Sequence, residues 1–145
     1  MKIKFKPRKI KISSNPTFII GENPGKPLKS QEQHEVWRGN RCARLINEAI
    51  KGKSNIYLTN IYNWYFKDCD DKEKLILDGI SELKNDLDKF QPTKIICLGQ
   101  FAFDVISNLD YIAEISFFSH PSYIFRFNKN KKQYIKNLRK ELNHG

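Results

Sequence analysis

Thr17-Phe18-Ile19-Ile20-Gly21-Glu22-Asn23-Pro24-Gly25 is an apolar run that stops in a loop of two glycines, a proline and two polar side chains. Its run of apolar and β-branched residues predicts a strand covered on both faces, and ligands of open α/β sheets sit just beyond the carboxyl ends of such strands. Glu22 and Asn23 fall at that place. Gly21 and Gly25 permit backbone angles closed to other residues and Pro24 fixes one more, so the loop can hold peptide groups close to a flat ligand. The same residues also suit a strand that ends in an ordinary turn. A phosphate-binding P-loop is excluded, because Lys26 is followed by Pro27 instead of Ser or Thr.

Upstream, Lys2, Lys4 and Lys6 alternate with Ile3 and Phe5, and Lys9-Ile10-Lys11-Ile12 repeats the habit. A period of two predicts a strand over residues 2 to 12, its lysines on one face. Such a strand is either an edge protected against pairing or a basic arm that reaches a phosphate backbone. Downstream, Lys26 to Gln33 is a polar segment, either a functional loop or a floppy one. Cys42, Leu45, Ile46, Ala49 and Ile50 then recur at helical spacing from about Arg38, and Gly52 closes that helix.

Asn55 to Tyr62 reads as a second strand, followed by a loop crowded with Trp64, Tyr65 and Phe66. A helix is expected over residues 71 to 90, with Leu75, Ile76, Ile80, Leu83 and Leu87 on one stripe and Pro92 beyond its end. Lys94 to Gly99 reads as a third strand running into a helix over Gln100 to Leu109. Glu114 to Phe118 reads as a fourth strand ending at Ser119-His120-Pro121-Ser122-Tyr123, and a basic helix follows over Lys129 to Leu142. Strands alternating with helices predict right-handed βαβ units. The expected fold is a three-layer α/β/α sandwich around a short, mainly parallel four-stranded sheet.

At 145 residues the chain has the length of a single domain able to bury its own core. Lys and Arg number 26 against 16 acids, a formal charge of +10, which favours a polyanionic partner through phosphate contacts and makes nucleic acid the first candidate. A merely solvated basic surface is the alternative. Cys42, Cys69 and Cys97 lie far apart with no Cys-x-x-Cys, so neither a zinc site nor a disulfide framework is suggested. No apolar run approaches a membrane span, and Met1 to Lys6 lacks the apolar core of a signal peptide. A cytoplasmic monomer is expected, without membrane contact.

Three strand ends thus present Gly21-Glu22-Asn23-Pro24-Gly25, Thr59-Asn60 and His120-Pro121-Ser122, and in this order they resemble the uracil-DNA glycosylase superfamily. That family opens on a Gly-x-x-Pro-Gly or Gly-x-Asp-Pro-Tyr loop, closes on His-Pro-Ser or His-Pro-Ala, and carries an Asn at the strand end between them. Ile96-Cys97-Leu98-Gly99-Gln100-Phe101-Ala102 and His120-Pro121-Ser122-Tyr123-Ile124-Phe125-Arg126 extend the resemblance, which runs over roughly residues 16 to 142. Gly21-Glu22 and the tail after His120 look most like small thermophile glycosylases that hold an iron–sulfur cluster. Ile61-Tyr62-Asn63-Trp64 stands where those enzymes place a cysteine, so no cluster, metal or other cofactor is expected.

The resemblance implies excision of uracil, or of a uracil-like modified base, from DNA by hydrolysis of the N-glycosidic bond after the nucleotide is flipped out of the stack. It makes Asn60 the reader of the base edge, donating to O4 and accepting from N3–H; a turn Asn capping the strand end is the alternative. It makes His120 the donor to O2 as negative charge develops there. Asn23 stands where the most active branch carries Asp, and an amide there orients water without acting as a base. Glu22 is given a minor part beside the base. Trp37 falls where the family stacks an aromatic on the flipped base, or else belongs to the core. Gly21, Pro24, Gly25, Pro121, Ser122 and Arg126 are implied to contact DNA. Two rival readings stay open: a catalytically silent DNA-binding scaffold of the same fold, and a glycosylase for a hypermodified base.

Overall fold

The computed structural model describes residues 2–26, 34–67 and 71–143. Residues 27–33, which hold nearly all of the expected polar loop, and Cys69 lie outside the described residues. The strands are β1 (Lys2–Lys4), β2 (Arg8–Ile10), β3 (Thr17–Gly21), β4 (Ile56–Asn60), β5 (Trp64–Phe66), β6 (Lys94–Leu98) and β7 (Glu114–Phe118). The helices are α1 (Arg41–Ile50), α2 (Lys72–Phe90), α3 (Gln100–Ser107), α4 (Pro121–Arg126) and α5 (Lys131–Asn143).

The central sheet has the order β2-β4-β3-β6-β7. β4, β3, β6 and β7 run parallel, in the register Gly21↔Asn60, Ile20↔Cys97 and Leu98↔Phe118. Both faces are apolar because both are covered. Ile19, Ile96 and Leu98 point into a core with Leu45, Ile46, Ala49 and Leu138 of α1 and α5. Their neighbours Phe18, Ile20, Ile95 and Cys97 point the other way, against Leu83 and Leu87 of α2 and Ala102 and Ile106 of α3. Alternate residues of one unbroken apolar strand thus feed two cores, and three layers result.

The sheet has five strands where four were expected, because β2 adds an antiparallel edge against β4 through Arg8↔Leu58 and Ile10↔Ile56. The single strand expected over residues 2 to 12 is divided. Pro7, which lacks an N–H, separates β2 from Lys6, whose backbone bonds to His34 and Val36 instead. β1 pairs with β5 in a separate two-stranded ribbon, so part of the expected aromatic loop is a strand. Lys2 and Lys4 are not aligned along a free basic face: they form ion pairs with Asp71 and Glu82.

Two boundaries near the ligand end also move. α1 begins at Arg41 rather than Arg38, because Trp37 and Gly39 take positive φ angles of 58° and 89° and Asn40 caps the helix by accepting from the Ala43 N–H. The segment after His120, expected as a loop, is the helix α4. His120 is its N-cap and Pro121 its first residue, where a missing N–H costs nothing. Among the described residues, no helix is long and apolar enough to cross a membrane.

Candidate active site

From β3 the chain passes to β4 on one side and later to β6 on the other, so the winding reverses between β3 and β6. A crevice opens at such a point beyond the carboxyl ends of the strands. Here it is a cleft of about 740 Å³, within the size range of small-molecule sites. Glu22, Asn23, Pro24 and Gly25 line it from the end of β3, Asn60 from β4, Leu98 and Gly99 from β6, and His120 and Ser122 from beyond β7.

Trp37 enters the same cleft from the segment before α1. Its indole Nε1–H donates to the Thr59 carbonyl at 3.3 Å, and its ring centroid lies 5.6 Å from that of His120. Its own carbonyl accepts from Arg8 Nη1 at 2.7 Å and from Asn47 Nδ2 at 3.2 Å. Arg8 is only 8% exposed, and burial, with the nearby Arg38 charge, pushes its guanidinium pKa down to about 10. A residue strained into a left-handed conformation is thus tied down by a buried cation from the edge strand.

Asn60 is 3% exposed, and its Oδ1 is buried without a hydrogen-bond partner. Its Nδ2 donates to Asn63 Oδ1 at 3.2 Å. A buried amide oxygen left unpaired costs about 1 to 3 kcal/mol. Gly21 lies directly behind: a Cβ on it would meet Asn60 Oδ1 and Trp37 Cζ2, each at 2.6 Å. Only a residue without a side chain admits both groups to one wall.

His120 is half-buried, and burial lowers its pKa from the ordinary 6.5, while the Glu22 charge pulls weakly in the opposite direction. Its Nδ1 accepts from the Ser122 backbone N–H at 3.1 Å and lies 2.9 Å from Ser122 Oγ. An accepting Nδ1 leaves the proton of the neutral ring on Nε2, so the imidazole is a neutral donor. Glu22 accepts from the Tyr62 hydroxyl at 3.0 Å, and burial with that carboxylate drives the Tyr62 pKa upward. Asn23 Nδ2 reaches the Trp64 carbonyl at 3.5 Å, and its Oδ1 has no hydrogen-bond partner among the described residues.

Catalytic candidates Asn23 and His120 and base-binding candidates Glu22, Trp37 and Asn60 therefore meet around one cleft, with Pro24, Gly25 and Ser122 at its walls. Gly21 and Pro121 are buried behind it, and Arg126 is exposed on α4 outside its lining. Sequence reasoning gave no site role to Asn63 or Phe101 and named Tyr65 and Phe66 only as crowding the loop after Asn60. The last three line the cleft, and Asn63 holds Asn60 from beneath. The aromatic crowding after Asn60 was the available signal. Cys42 reaches the cleft and Cys97 is buried in the sheet, both as free thiols.

The strand ends thus bring an amide and a neutral imidazole to one cleft, and the segment before α1 adds an indole. The family model of the uracil DNA glycosylase superfamily matches residues 7–143, and the chain belongs to that superfamily. Membership brings glycosylase-type hydrolysis with DNA as the substrate. No curated protein matches the chain.

Proposed function

We propose that the protein hydrolyses the N-glycosidic bond of uracil, or of a uracil-like modified base, in DNA. The observation that carries this is the orphaned Oδ1 of Asn60, buried in the wall of a cleft that His120 and Trp37 share. An acceptor with an amide N–H beside it matches the N3–H and O4 of uracil, whereas cytosine sets its bare N3 against that acceptor and its amino group against that N–H. The nucleotide must leave the stack to enter, and a roomy cleft with an indole wall accepts a flipped ring.

In the reaction the C1′–N1 bond breaks with its electron pair passing to the base, and a water oxygen bonds C1′ as its proton leaves to solvent. Negative charge gathers on the base O2, where His120 Nε2–H donates. One well-aimed donor of this kind is worth about 3 to 4 kcal/mol. Asn23 has no proton-accepting strength, so its free Oδ1 orients the water and the attack falls on a sugar that is already largely cationic. The Glu22 carboxylate, held by Tyr62, adds negative charge near that cation.

The test is incubation with oligonucleotides carrying uracil, hydroxymethyluracil, hypoxanthine or xanthine in the presence of chelator, followed by alkaline cleavage. Abasic sites at uracil or hydroxymethyluracil support the reading. DNA binding without cleavage of any of the four is the outcome that assigns the protein a scaffold role instead.

A further inference from the structure

Beneath the cleft lies a closed loop of hydrogen bonds that begins and ends on Asn60. Thr59 is 1% exposed, and its hydroxyl oxygen lies 3.5 Å from the Asn60 backbone carbonyl, at the long limit of a hydrogen bond. A hydroxyl has one proton, so toward Asn63 it presents only a lone pair. Asn63 answers with its amide nitrogen: Nδ2 donates to Thr59 Oγ1 at 2.9 Å. That choice turns Asn63 Oδ1 toward Asn60, where it accepts from Nδ2 at 3.2 Å. Asn63 is itself buried, at 8% exposure, so water is largely kept from substituting for either partner.

An unconstrained side-chain amide presents its oxygen and its nitrogen with equal ease, and one rotation about its last bond exchanges them. In a base-reading pocket that exchange matters. With Oδ1 facing N3 and Nδ2 facing O4, an amide fits uracil. Turned over, it offers a donor to the bare N3 of cytosine and an acceptor to its amino group. The direction of Asn60 is therefore the specificity of the site, and nothing in Asn60 itself sets it.

We propose that Asn63 is a specificity-determining residue, which with Thr59 locks the amide of Asn60 in the orientation that accepts from N3–H and rejects cytosine. This rests on the uracil reading above for its substrate, but the lock is a property of the free protein. Asn63 touches neither base nor sugar; it acts through Asn60. Its carbonyl engages one of the two Nδ2 protons and leaves the other for O4.

Three variants test it by single-turnover cleavage of matched uracil and cytosine oligonucleotides. Asn63→Leu keeps the branched shape and removes both bonds, and should lower the uracil-to-cytosine rate ratio about ten- to hundredfold, the equivalent of one to two buried hydrogen bonds. Thr59→Val leaves Asn63 in place but takes away the lone pair that turns it, and should lower the ratio in the same direction. It also covers the case in which Asn63→Leu fails to fold. Thr59→Ser keeps the hydroxyl and should keep the parent ratio. A uniform loss of rate with the ratio unchanged in both Asn63→Leu and Thr59→Val overturns the proposal and makes Asn63 a purely structural residue.

A second readout needs no activity. In the ¹⁵N-labelled free protein the Asn60 side-chain amide should show one protected proton with a nuclear Overhauser contact to Asn63, lost in Thr59→Val. If the parent cleaves no uracil while that signature is present, the substrate reading fails and the lock stands. If the signature is absent from the parent, the lock itself is wrong.

Discussion

A methyl group on Gly21 would stand 2.6 Å from Asn60 Oδ1 and equally close to Trp37 Cζ2, so the base-reading amide and the indole wall share the space of one missing side chain. Neither neighbour can yield cheaply. Asn60 is buried, and the Trp37 ring is tied to the Thr59 carbonyl by its Nε1–H. Gly21→Ala should therefore fold with a stability loss of about 1 to 3 kcal/mol, the usual cost of overpacking. Single-turnover cleavage should fall at least about tenfold, while DNA binding remains near the parent value, because the displaced groups meet only the flipped base. Denaturant midpoints and single-turnover rates check the two parts separately, and a parent-like rate would remove Asn60 from the pocket wall.

The tautomer of His120 carries a pH prediction. Its folded pKa is lowered by burial, so the ring stays neutral from alkaline pH down past its ordinary 6.5 and protonates only below that value. Protonation places an N–H on Nδ1, directly opposite the Ser122 N–H that it now accepts, and the two donors repel. The cleavage rate should thus hold through neutrality and fall in an acid limb below 6.5. Glu22 is the neighbour that raises this pKa, so Glu22→Gln should move the limb to still lower pH. His120→Ala should slow the single-turnover step about 100- to 1,000-fold with little loss of DNA binding, since the donor acts on charge that forms in the transition state.

The sequence disclosed the parallel strands and their polar ends because each apolar run stops at a glycine, an asparagine or a His-Pro pair, and those breaks do not depend on tertiary context. Glu114 to Phe118 is a strand over the very residues read from the sequence, and Gly21, Asn60 and His120 fall at strand ends as expected. Pairing was harder to read. The period-two run of Lys2 to Ile12 serves two different sheets, because Pro7 interrupts a pattern that alternation alone cannot divide. Trp64 to Phe66 becomes a strand only because β1 lies beside it. The buried partners Asn63, Asn47 and Arg8 were invisible for the same reason: an isolated polar residue becomes structural only through a distant neighbour.

Arg8 and Trp37 supply such a long-range link, and it is open to test. The guanidinium spans the Trp37 carbonyl and Asn47 Oδ1, a fork that a lysine ammonium cannot reproduce. Arg8→Lys should destabilise the protein by about 1 to 3 kcal/mol, as expected for buried acceptors left short of donors. The chain has two tryptophans, so in a Trp64→Phe background the emission reports Trp37 alone. A red shift on Arg8→Lys marks a loosened indole, and unchanged emission would show that Asn47 suffices to hold it.

The charge of +10 leads to a salt prediction. Each phosphate neutralised on duplex DNA contributes a slope of about −0.9 to log K against log salt, so several contacts should give a slope steeper than about −3. Arg126, exposed on α4, should account for about one such unit when changed to Gln. A flat salt response in the parent would count against DNA as the partner.

Asn60→Asp tests the reader itself. The substitution keeps the size of the side chain and exchanges its donor for a second acceptor. An ionised carboxylate repels the uracil O4 and accepts from the amino group of cytosine. It also sets an oxygen against Asn63 Oδ1, where the parent donates at 3.2 Å, so Asn63 must turn over and give up its bond to Thr59. Activity on uracil should then fall far more than activity on cytosine, and the cytosine-to-uracil ratio should rise even at low absolute rates. Sites that read a hydrogen-bonding edge discriminate by factors of about 10,000, so a substantial part of that range is open to loss. Cleavage of uracil at the parent rate by both Asn60→Asp and Asn60→Ala would show that the edge is read elsewhere in the cleft, on the side of Trp37 and Phe101.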